Sequence, residues 1–291
     1  MVKKLSDLYL DARKALLIAE DQQTASMMAR NVLCRFTGKT QEQILADRDQ
    51  YVGDDVCNQV MIAVSRLLQG EPLAYVLEEW DFYGMRLYVN KHVLIPRDDT
   101  CAVTALAIKK ALFLEQSPRI LDLCTGSGCI GLAVANRVKD ARVTLGDVSQ
   151  EALNVAKKNA VAQKLSGRVS CVHADALADP APFLGKFDMI ISNPPYITRE
   201  EMLELPDSVK NYEPHLALFG GNDGLDFYRS IAQRYQAALR PNGYLCFEFG
   251  AGQGDAVCEI LESNGYTILE RTRDYNDRER AVLAQYGRKM D

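Results

Sequence analysis

Strand-like and helix-like segments alternate along the larger, C-terminal part of this 291-residue chain. From about residue 101, short apolar and β-branched runs such as RILDLC, RVTLGD and FDMIISN are separated by segments with helical spacing. Alternation of this kind predicts a mostly parallel sheet with helices on both faces, an α/β fold. The last two strand-like runs, YTILERTRD and RERAVLAQY, lie close together, so we expect one of them to run antiparallel.

The part of the chain before this alternation has a different pattern of apolar residues. Residues 3–70 show apolar residues at three- and four-residue steps, as in LSDLYLDARKALLIAE, which predicts a small helical bundle. The following EEWDFYGMRLYVNKHVLIPR is aromatic and β-branched around Gly84, which predicts a β-hairpin. We therefore expect a helical bundle over residues 1–75, a hairpin linker over 76–100 and an α/β domain over 101–291.

Composition excludes several classes of protein. The net charge of −5 and pI of about 5.4 argue against a strongly basic nucleic-acid-binding domain. Charged residues interrupt the N-terminal apolar positions, and no apolar run reaches the roughly 18 residues of a membrane span. We expect a cytoplasmic protein. The eight cysteines form no Cys-x-x-Cys pair and the three histidines are scattered, so we expect no metal site and no disulfide framework.

A glycine-rich turn, ILDLCTGSGCIG, leads from the first strand of the alternating region into a helix. Gly126, Gly128 and Gly131 fit the dinucleotide fingerprint G-x-G-x-x-G. The same stretch, starting from Asp122 with Cys124 in place of a glycine, resembles motif I of S-adenosylmethionine (AdoMet) methyltransferases. Glycines permit a tight turn and close approach of a ligand, and the helix N-terminus supplies free amides. The turn alone therefore does not distinguish a dinucleotide cofactor from AdoMet.

Two acidic residues follow the next two strands. Asp147 ends RVTLGD, where a carboxylate can accept the ribose hydroxyls of a nucleoside in either cofactor. Asp147 could alternatively cap the next helix, but Ser149 is also placed to do so. Asp175 ends CVHAD and is either near an adenine ring or part of a surface turn.

The stretch FDMIISNPPYIT ends a buried strand at an unusual corner. Proline fixes φ and removes an amide donor, and it pushes the residue before it toward extended geometry. Asn193, Pro194 and Pro195 therefore form a rigid corner in which the Asn193 side-chain oxygen and the Pro194 carbonyl can accept N–H bonds. Tyr196 adds a flat ring beside them. Such a corner suits a planar substrate nitrogen.

A series of segments in order now resembles one family. GEPLAYVLEEWDFYGMRLYVNKHVLIPRDDT, LDLCTGSGCIGLAVA, GDVSQEALNVAKKNA, SNPPYI, YEPHLALFGGNDGLDFYRSI and RDYNDRERAV are similar to successive signatures of the HemK/PrmC family. This family comprises the N5-glutamine methyltransferases of peptide-chain release factors. The similarity covers nearly the whole chain.

The resemblance implies a Rossmann-like, seven-stranded AdoMet-dependent methyltransferase domain after a helical bundle and a hairpin linker. It implies AdoMet as cofactor, S-adenosylhomocysteine as product, the glutamine of the Gly-Gly-Gln loop of class I release factors as substrate, and a monomer. The implied cofactor-binding positions are Cys124, Thr125, Gly126, Ser127, Gly128, Asp147, Asp175, Ala176 and Asn193. The implied glutamine-binding positions are Asn193, Pro194, Pro195 and Tyr196, of which Asn193, Pro194 and Tyr196 are the catalytic set.

The chain departs from the family pattern at three places. Cys124 stands where the family usually has glycine, and Ala176 stands where some members have an aromatic ring. IPRDDTC lacks a proline and the last acid of the family's segment, so no role is transferred to Asp98 or Cys101.

These residues predict catalysis by positioning. We see no histidine near the corner as a strong base, so we expect two acceptors on the substrate NH₂ group to free its lone pair and stabilise developing positive charge. The acidic run REEMLELPD is either a solvated helix face or a surface complementary to a basic partner.

Alternative functions use the same corner. One is a nucleic-acid methyltransferase acting on an exocyclic adenine or guanine amine, and another is the related glutamine methyltransferase of a ribosomal protein. A non-catalytic AdoMet- or nucleotide-binding module is a third, against which the intact corner argues. A NAD oxidoreductase would need a catalytic histidine or a tyrosine–lysine pair, which the pattern lacks.

Overall fold

A computed structural model describes residues 2–114 and 117–287, and these residues form two compact units. The first unit comprises Met1–Glu79 and Asp207–Tyr212, and the second comprises Trp80–Pro206 and Glu213–Asp291. The three-part division at residues 75 and 100 is not resolved by this grouping and stays a prediction.

The first unit is a helical bundle, as the apolar spacing predicts. Two of its helices begin at polar caps: the Asp21 side chain accepts from amides in the first turn of the helix that follows it, and Thr40 and Gln43 form a reciprocal capping box. Two very short strands, which the sequence pattern did not indicate, pair antiparallel. The elements are β1 Lys3–Lys4, α1 Leu5–Leu16, α2 Gln22–Thr37, α3 Gln41–Ala46, β2 Tyr51–Val52, α4 Asp54–Leu68 and α5 Leu73–Leu77.

The chain returns to this unit later, at the short helix Asp207–Tyr212. There the Tyr212 hydroxyl donates to the backbone oxygen of Gln69 at 2.6 Å.

The second unit begins with the predicted hairpin. Strands β3 Trp80–Phe82 and β4 Met85–Leu87 pair antiparallel. The two turn residues, Tyr83 and Gly84, both have positive φ, at 49° and 76°. That is the geometry of a type I′ turn, whose twist matches the twist of the two strands.

The main sheet has seven strands, and its order positions the site. The order is β10-β11-β9-β8-β5-β6-β7, with every pair parallel except the two made by β11, so the predicted antiparallel strand is the last one. From β5 the chain moves outward through β6 to β7 and then returns to the other side of β5. The topological switch, where ligands bind in such sheets, therefore lies between β5 and β8. The strands are β5 Arg119–Leu123, β6 Arg142–Asp147, β7 Val169–His173, β8 Phe187–Ser192, β9 Leu239–Glu248, β10 Tyr266–Arg273 and β11 Glu279–Tyr286.

Helices cover both faces of this sheet and enclose two apolar clusters. One cluster joins the hairpin and the helices after residue 100 to one face, and the other joins the last two long helices to the opposite face. The predicted α/β fold with a mostly parallel seven-stranded sheet is thus confirmed. The helices of this unit are α6 Thr100–Ala111, α7 Cys129–Arg137, α8 Gln150–Ala162, α9 Glu201–Glu204, α11 Asp226–Arg234 and α12 Gly254–Ser263, and α10 is the helix Asp207–Tyr212 of the first unit.

Two predicted helices are longer in the sequence pattern than in the structure. The pattern continues a helix over 225–240, but α11 ends at Arg234, a 3-10 turn follows, and β9 already begins at Leu239 because Leu239 pairs with Phe187. The helical spacing of AVTALAIKKALFLEQ predicts a helix over 102–116, whereas α6 ends at Ala111, and residues 115–116 lie outside the described residues. Within the described ranges, none of the helices has the length and apolarity needed to cross a membrane.

Candidate active site

A cavity of about 330 Å³ lies at the carboxyl ends of β5, β6 and β8. Its walls come from the glycine turn, from the two loops that follow β6 and β7, from the corner after β8, and from the segment of residues 91–97. A volume of this size is within the usual range for small-molecule sites, and its place at the topological switch is the usual one for a nucleotide-like ligand.

The glycine turn starts with an unusual residue. Cys124 has a φ of 60°, a left-handed conformation that glycine adopts freely and that costs other residues roughly 1–2 kcal/mol. Gly126 and Gly128 also have positive φ, at 53° and 83°, and Gly128 starts α7. Burial raises the pKa of the Cys124 thiol, which therefore stays protonated. The departure from glycine at Cys124 is thus accommodated with the turn geometry retained.

The side chain of Asp122 holds the glycine turn in place through two hydrogen bonds. One of its carboxylate oxygens accepts from the Thr125 hydroxyl at 2.6 Å and from the Gly131 amide at 2.8 Å. Because its side chain is fully buried and its other oxygen has no partner among the described residues, desolvation raises the pKa of Asp122 to about 7. A Cβ atom at Gly131 would approach this carboxylate to 2.9 Å, so glycine is required there.

Asp147 joins the end of β6 to the same turn. Its two oxygens accept from the amides of Gly126 and Ser149, each at 2.9 Å. Desolvation is the main cause that raises the pKa of Asp147, and these amides oppose it. The Ser149 hydroxyl caps α8 by accepting from Ala152, and Asp147 lines the cavity with a carboxylate that can accept further hydrogen bonds.

The loop after β7 lies on the neighbouring wall. Asp175 and Ala176 both line the cavity, two and three residues beyond the end of the strand. The Asp175 carboxylate accepts from the Leu177 amide at 2.8 Å, and its backbone oxygen accepts from the Tyr235 hydroxyl. Asp175 is therefore part of an ordered loop and faces the cavity.

The corner after β8 supplies the opposite wall. The Asn193 amide nitrogen donates to the Thr100 hydroxyl at 3.3 Å, and Asn193 and Pro195 line the cavity. Pro194 is buried. The ring of Tyr196 packs toward the core around Gly250, and burial raises the pKa of Tyr196 to about 12.

Two glycines make this corner possible, and the sequence pattern alone did not single them out. A Cβ atom on Gly220 would lie 2.6 Å from the Pro195 oxygen and from the Tyr196 Cα atom. A Cβ atom on Gly224 would lie 2.3 Å from the Tyr196 oxygen. The loop that carries both glycines can therefore lie directly against the backbone of the corner.

The structure brings most of the predicted site residues to one cavity. The predicted residues that line it are Cys124, Thr125, Gly126, Ser127, Asp147, Asp175, Ala176, Asn193 and Pro195. Gly128, Pro194 and Tyr196 lie outside the lining. Their roles, like those of the lining residues, stay predictions. His92 also lines the cavity and is exposed. That no histidine acts as a strong base at the corner stays a prediction.

Two polar residues that support the site were missed at the sequence level. The buried carboxylate of Glu213 accepts from the Ile95 amide at 3.1 Å and pairs with Arg97, which holds the cavity segment of residues 91–97. The fully buried Asn159 side chain accepts from the Tyr88 amide and donates to the backbone oxygens of Tyr88 and Ser127. Both bridge segments far apart in the chain, so no local pattern marks them.

Family profiles match two parts of the chain. Residues 7–77 match the PrmC N-terminal domain, and residues 100–205 match the methyltransferase small domain.

Whole-chain relatives agree with these matches. A release factor glutamine methyltransferase of Chlorobaculum tepidum is 38% identical, over 92% of each chain. One of Clostridium acetobutylicum is 36% identical, over 84% of this chain and 85% of its own. A bifunctional methyltransferase of Rickettsia felis is 32% identical, but this chain spans only about half of it, 54%.

A solved structure of a methyltransferase from Pyrococcus furiosus shares the fold. Its TM-score is 0.51 at 17% identity, and the match covers 77% of this chain and 98% of that one. The seven-stranded sheet, the glycine turn and the cavity at the switch thus define a Rossmann-like methyltransferase. With identities of 36% and 38% over most of both chains, the chain belongs to the release factor glutamine methyltransferase family, and the HemK/PrmC resemblance is confirmed.

Proposed function

We propose that this enzyme transfers a methyl group from AdoMet to the side-chain amide nitrogen of the glutamine in the Gly-Gly-Gln motif of class I release factors. The observation that carries the proposal is the orientation of Asn193. Its amide nitrogen is committed to Thr100, so its amide oxygen is left as an acceptor at the cavity wall. An acceptor at this place suits the NH₂ group of a carboxamide.

The cavity residues fit AdoMet. The buried Ser127 hydroxyl lines the cavity and has no hydrogen-bond partner among the described residues. It can therefore donate a hydrogen bond to a ligand in the cavity or accept one from it. Asp147 has lone pairs for ribose hydroxyls, and Asp175 and Ala176 would lie near the adenine. When bound, AdoMet supplies a methyl group made electrophilic by its sulfonium sulfur.

The residues of the corner act by holding the substrate amide. An amide nitrogen is a weak nucleophile because its lone pair is delocalised into the carbonyl group. Acceptance of its two N–H bonds by the Asn193 oxygen and the Pro194 carbonyl would favour a pyramidal nitrogen with a freer lone pair. The same acceptors would stabilise the positive charge that develops on nitrogen in the transition state. Orientation of this kind can contribute about 7–11 kcal/mol toward lowering the barrier.

The rigidity of the corner supports this role. Proline at two successive positions fixes φ, the backbone at Tyr196 accepts from Gln253 at 3.1 Å, and two glycines permit a second loop to pack against it. Acceptors that are fixed before the substrate arrives cost no reorganisation during the reaction. The methylated nitrogen is a strong acid, so its proton can leave to water without a dedicated base.

A label-transfer experiment tests the proposal. The protein is incubated with radiolabelled AdoMet and, in parallel, with a class I release factor, a ribosomal-protein fraction and DNA, and the label is located by peptide mapping. We expect label on the glutamine of the release factor and none when that glutamine is changed to asparagine. Label confined to ribosomal protein or DNA would refute the proposed substrate.

The partner surface can be tested in the same assay. Glu200, Glu201 and Glu204 are exposed on and beside α9, where they could complement a basic release-factor surface. We expect salt to weaken binding of the release factor, and neutralising these three residues to reduce that salt dependence. A monomeric state and a cytoplasmic location stay predictions.

A further inference from the structure

Glu248 lies beside Asn193 at the carboxyl edge of the sheet. Ser192 at the end of β8 is in register with Phe247 of β9, so the next residues along each strand, Asn193 and Glu248, are neighbours. Side chains alternate along a strand, so Glu248 shares the face of Cys246, which is buried in the cluster that includes α6. A glutamate at this place is 1% exposed and lies behind the cavity wall.

The side chain of Glu248 interacts with two residues at the back of the corner. Side-chain hydrogen bonding from Thr100, at the start of α6, and from Asn193 lowers the pKa of its carboxyl group and so opposes the larger rise caused by burial. These two residues are themselves joined at 3.3 Å, so the three side chains form a closed polar cluster at the back of the corner. The remaining carboxyl oxygen of Glu248, Oε2, has no hydrogen-bond partner in the part of the chain that the structure describes.

The cation that acts on Glu248, Arg280, is paired with other carboxylates. Arg280 donates to Asp274 and forms an ion pair with Asp99, each at 2.9 Å. Since burial without an ion pair penalises the carboxylate, the pKa of Glu248 is raised to about 8, and the group is mostly uncharged at neutral pH. The titratable or charged groups that act on Glu248, or on which it acts, are Asp99, Cys101, Cys129, Tyr196, Tyr228 and Arg280.

We propose that Glu248 is a positioning residue that, together with Thr100, holds the amide nitrogen of Asn193 and so keeps the amide oxygen of Asn193 turned toward the substrate. This inference rests on the proposed function of Asn193. The two ends of an asparagine amide are nearly equal in size, so packing alone does not choose between its two orientations. In the reversed orientation the Asn193 NH₂ would face the substrate NH₂, donor against donor, and the proposed acceptor would be lost.

An uncharged carboxyl group suits this cluster better than other side chains. Its carbonyl oxygen can accept from both Asn193 and Thr100, while the proton resides on the oxygen that has no partner among the described residues. Glutamine can reproduce the accepting oxygen with its amide oxygen, whereas methionine has similar length and no comparable acceptor. This difference separates a hydrogen-bonding role from a packing role.

Enzyme kinetics on Glu248→Met and Glu248→Gln make the first test. We expect Glu248→Met to lower kcat by about 10- to 100-fold and to leave the Kd for AdoMet within about 2-fold, because misplacement of a positioning group costs rates of this order. We expect Glu248→Gln to retain most of the wild-type kcat. The matched control is Cys246→Ala, which perturbs the same face of the same strand two residues away and should leave kcat unchanged.

Three kinetic results would contradict the positioning role of Glu248. A Glu248→Met enzyme with wild-type kcat, or a Glu248→Gln enzyme impaired as strongly as Glu248→Met, would overturn the proposal. A loss of kcat in Cys246→Ala as large as that in Glu248→Met would reduce Glu248 to a packing role.

A second measurement does not depend on the substrate or on a variant being active. In the ¹⁵N-asparagine-labelled wild-type protein, the side-chain NH₂ signals of Asn193, assigned by their loss in Asn193→Ala, should shift with pH as Glu248 ionises. They should lose that shift in Glu248→Gln. Signals that are insensitive to pH and to Glu248→Gln would overturn the proposal. If the wild-type enzyme methylates no release factor, the proposed function fails, and these signals still decide whether Glu248 holds Asn193.

Discussion

The carboxylate of Asp147 accepts a hydrogen bond from the backbone amide of Gly126 at 2.9 Å. This bond joins the end of β6 to the turn that follows β5, and the same carboxylate faces the cavity. Asp147 therefore shapes the turn, and in the proposed function it also offers acceptors to a ribose.

We predict that Asp147→Asn weakens AdoMet binding by about 10- to 100-fold, because an amide has one acceptor oxygen where the carboxylate has two, and both now hold backbone amides. Isothermal titration calorimetry measures the change. Glu151→Gln, an exposed change in the first turn of α8, is the control and should bind like the wild type. An unchanged Kd in Asp147→Asn would rule out the ribose role.

We predict that Asn193→Ala lowers kcat at least about 100-fold and leaves the Kd for AdoMet within about 3-fold, because the variant loses an acceptor used mainly in the transition state. Single-turnover kinetics with a release factor and calorimetry with AdoMet separate the two effects. Asn136→Ala, near the end of α7, serves as the control. Turnover near the wild-type level would show that Asn193 does not hold the substrate.

We predict that Gly220→Ala lowers kcat and the free energy of unfolding together. The new methyl group would lie 2.6 Å from the Pro195 oxygen and the Tyr196 Cα atom, so the corner must shift, at a cost of roughly 1–3 kcal/mol. Urea denaturation and steady-state kinetics report the two effects. At Gly167 a Cβ atom would meet nothing within 4 Å, so Gly167→Ala should be close to neutral. Equal behaviour of the two variants would contradict the close-packing argument.

We predict that Asn159→Ala lowers the free energy of unfolding by about 3 kcal/mol or more, because it leaves buried backbone groups of Tyr88 and Ser127 without partners. Denaturation with urea measures the loss. Asn154→Ala, an exposed change on the same helix, should cost less than about 0.5 kcal/mol. A small effect at Asn159 would mean that water replaces its bonds.

We predict a pH-dependent stability difference between the wild type and Asp122→Asn. The pKa of Asp122 is raised from 3.8 to about 7 in the folded state, so the folded state binds more protons than the unfolded state between these values. The stability contribution of Asp122 is therefore present at low pH and is lost as pH rises through about 7, by up to about 1.4 kcal/mol per pH unit. Asp122→Asn lacks this titration. In urea denaturation at pH 5, 6, 7 and 8, the free energy of unfolding of the variant should rise relative to that of the wild type as pH rises. A difference that stays constant with pH would contradict the prediction.

Elements with strong local signals were predictable from the sequence. The alternation of strands and helices gave the α/β fold, and β6 was expected over its observed bounds, Arg142–Asp147. The glycine turn, Asp147 and Asn193 were also expected near one another, because the carboxyl ends of parallel strands share one edge of the sheet. The predicted end of α11 was wrong, because the helical period of the sequence continues past Arg234 into residues that pair as β9.

The supporting contacts could not be read from local patterns. Glu213 meets Ile95 and Arg97 across more than a hundred residues, and Glu248 meets Asn193 only because β8 and β9 are adjacent in the sheet. A glutamate in a strand-like run carries no local sign that it will be buried. The position of the Tyr196 ring, toward the core instead of the cavity lining, depends likewise on Gly250 and its loop.

The helix Asp207–Tyr212 groups with Met1–Glu79 although the chain reaches it only after four strands of the main sheet. The polypeptide therefore passes between the two units three times, and no single proteolytic cut separates them cleanly. Removal of residues 1–79 would leave Tyr212 without the Gln69 carbonyl that its hydroxyl meets. Dissection of this enzyme into its two units, or exchange of residues 1–79 with those of a relative, must move residues 207–212 as well.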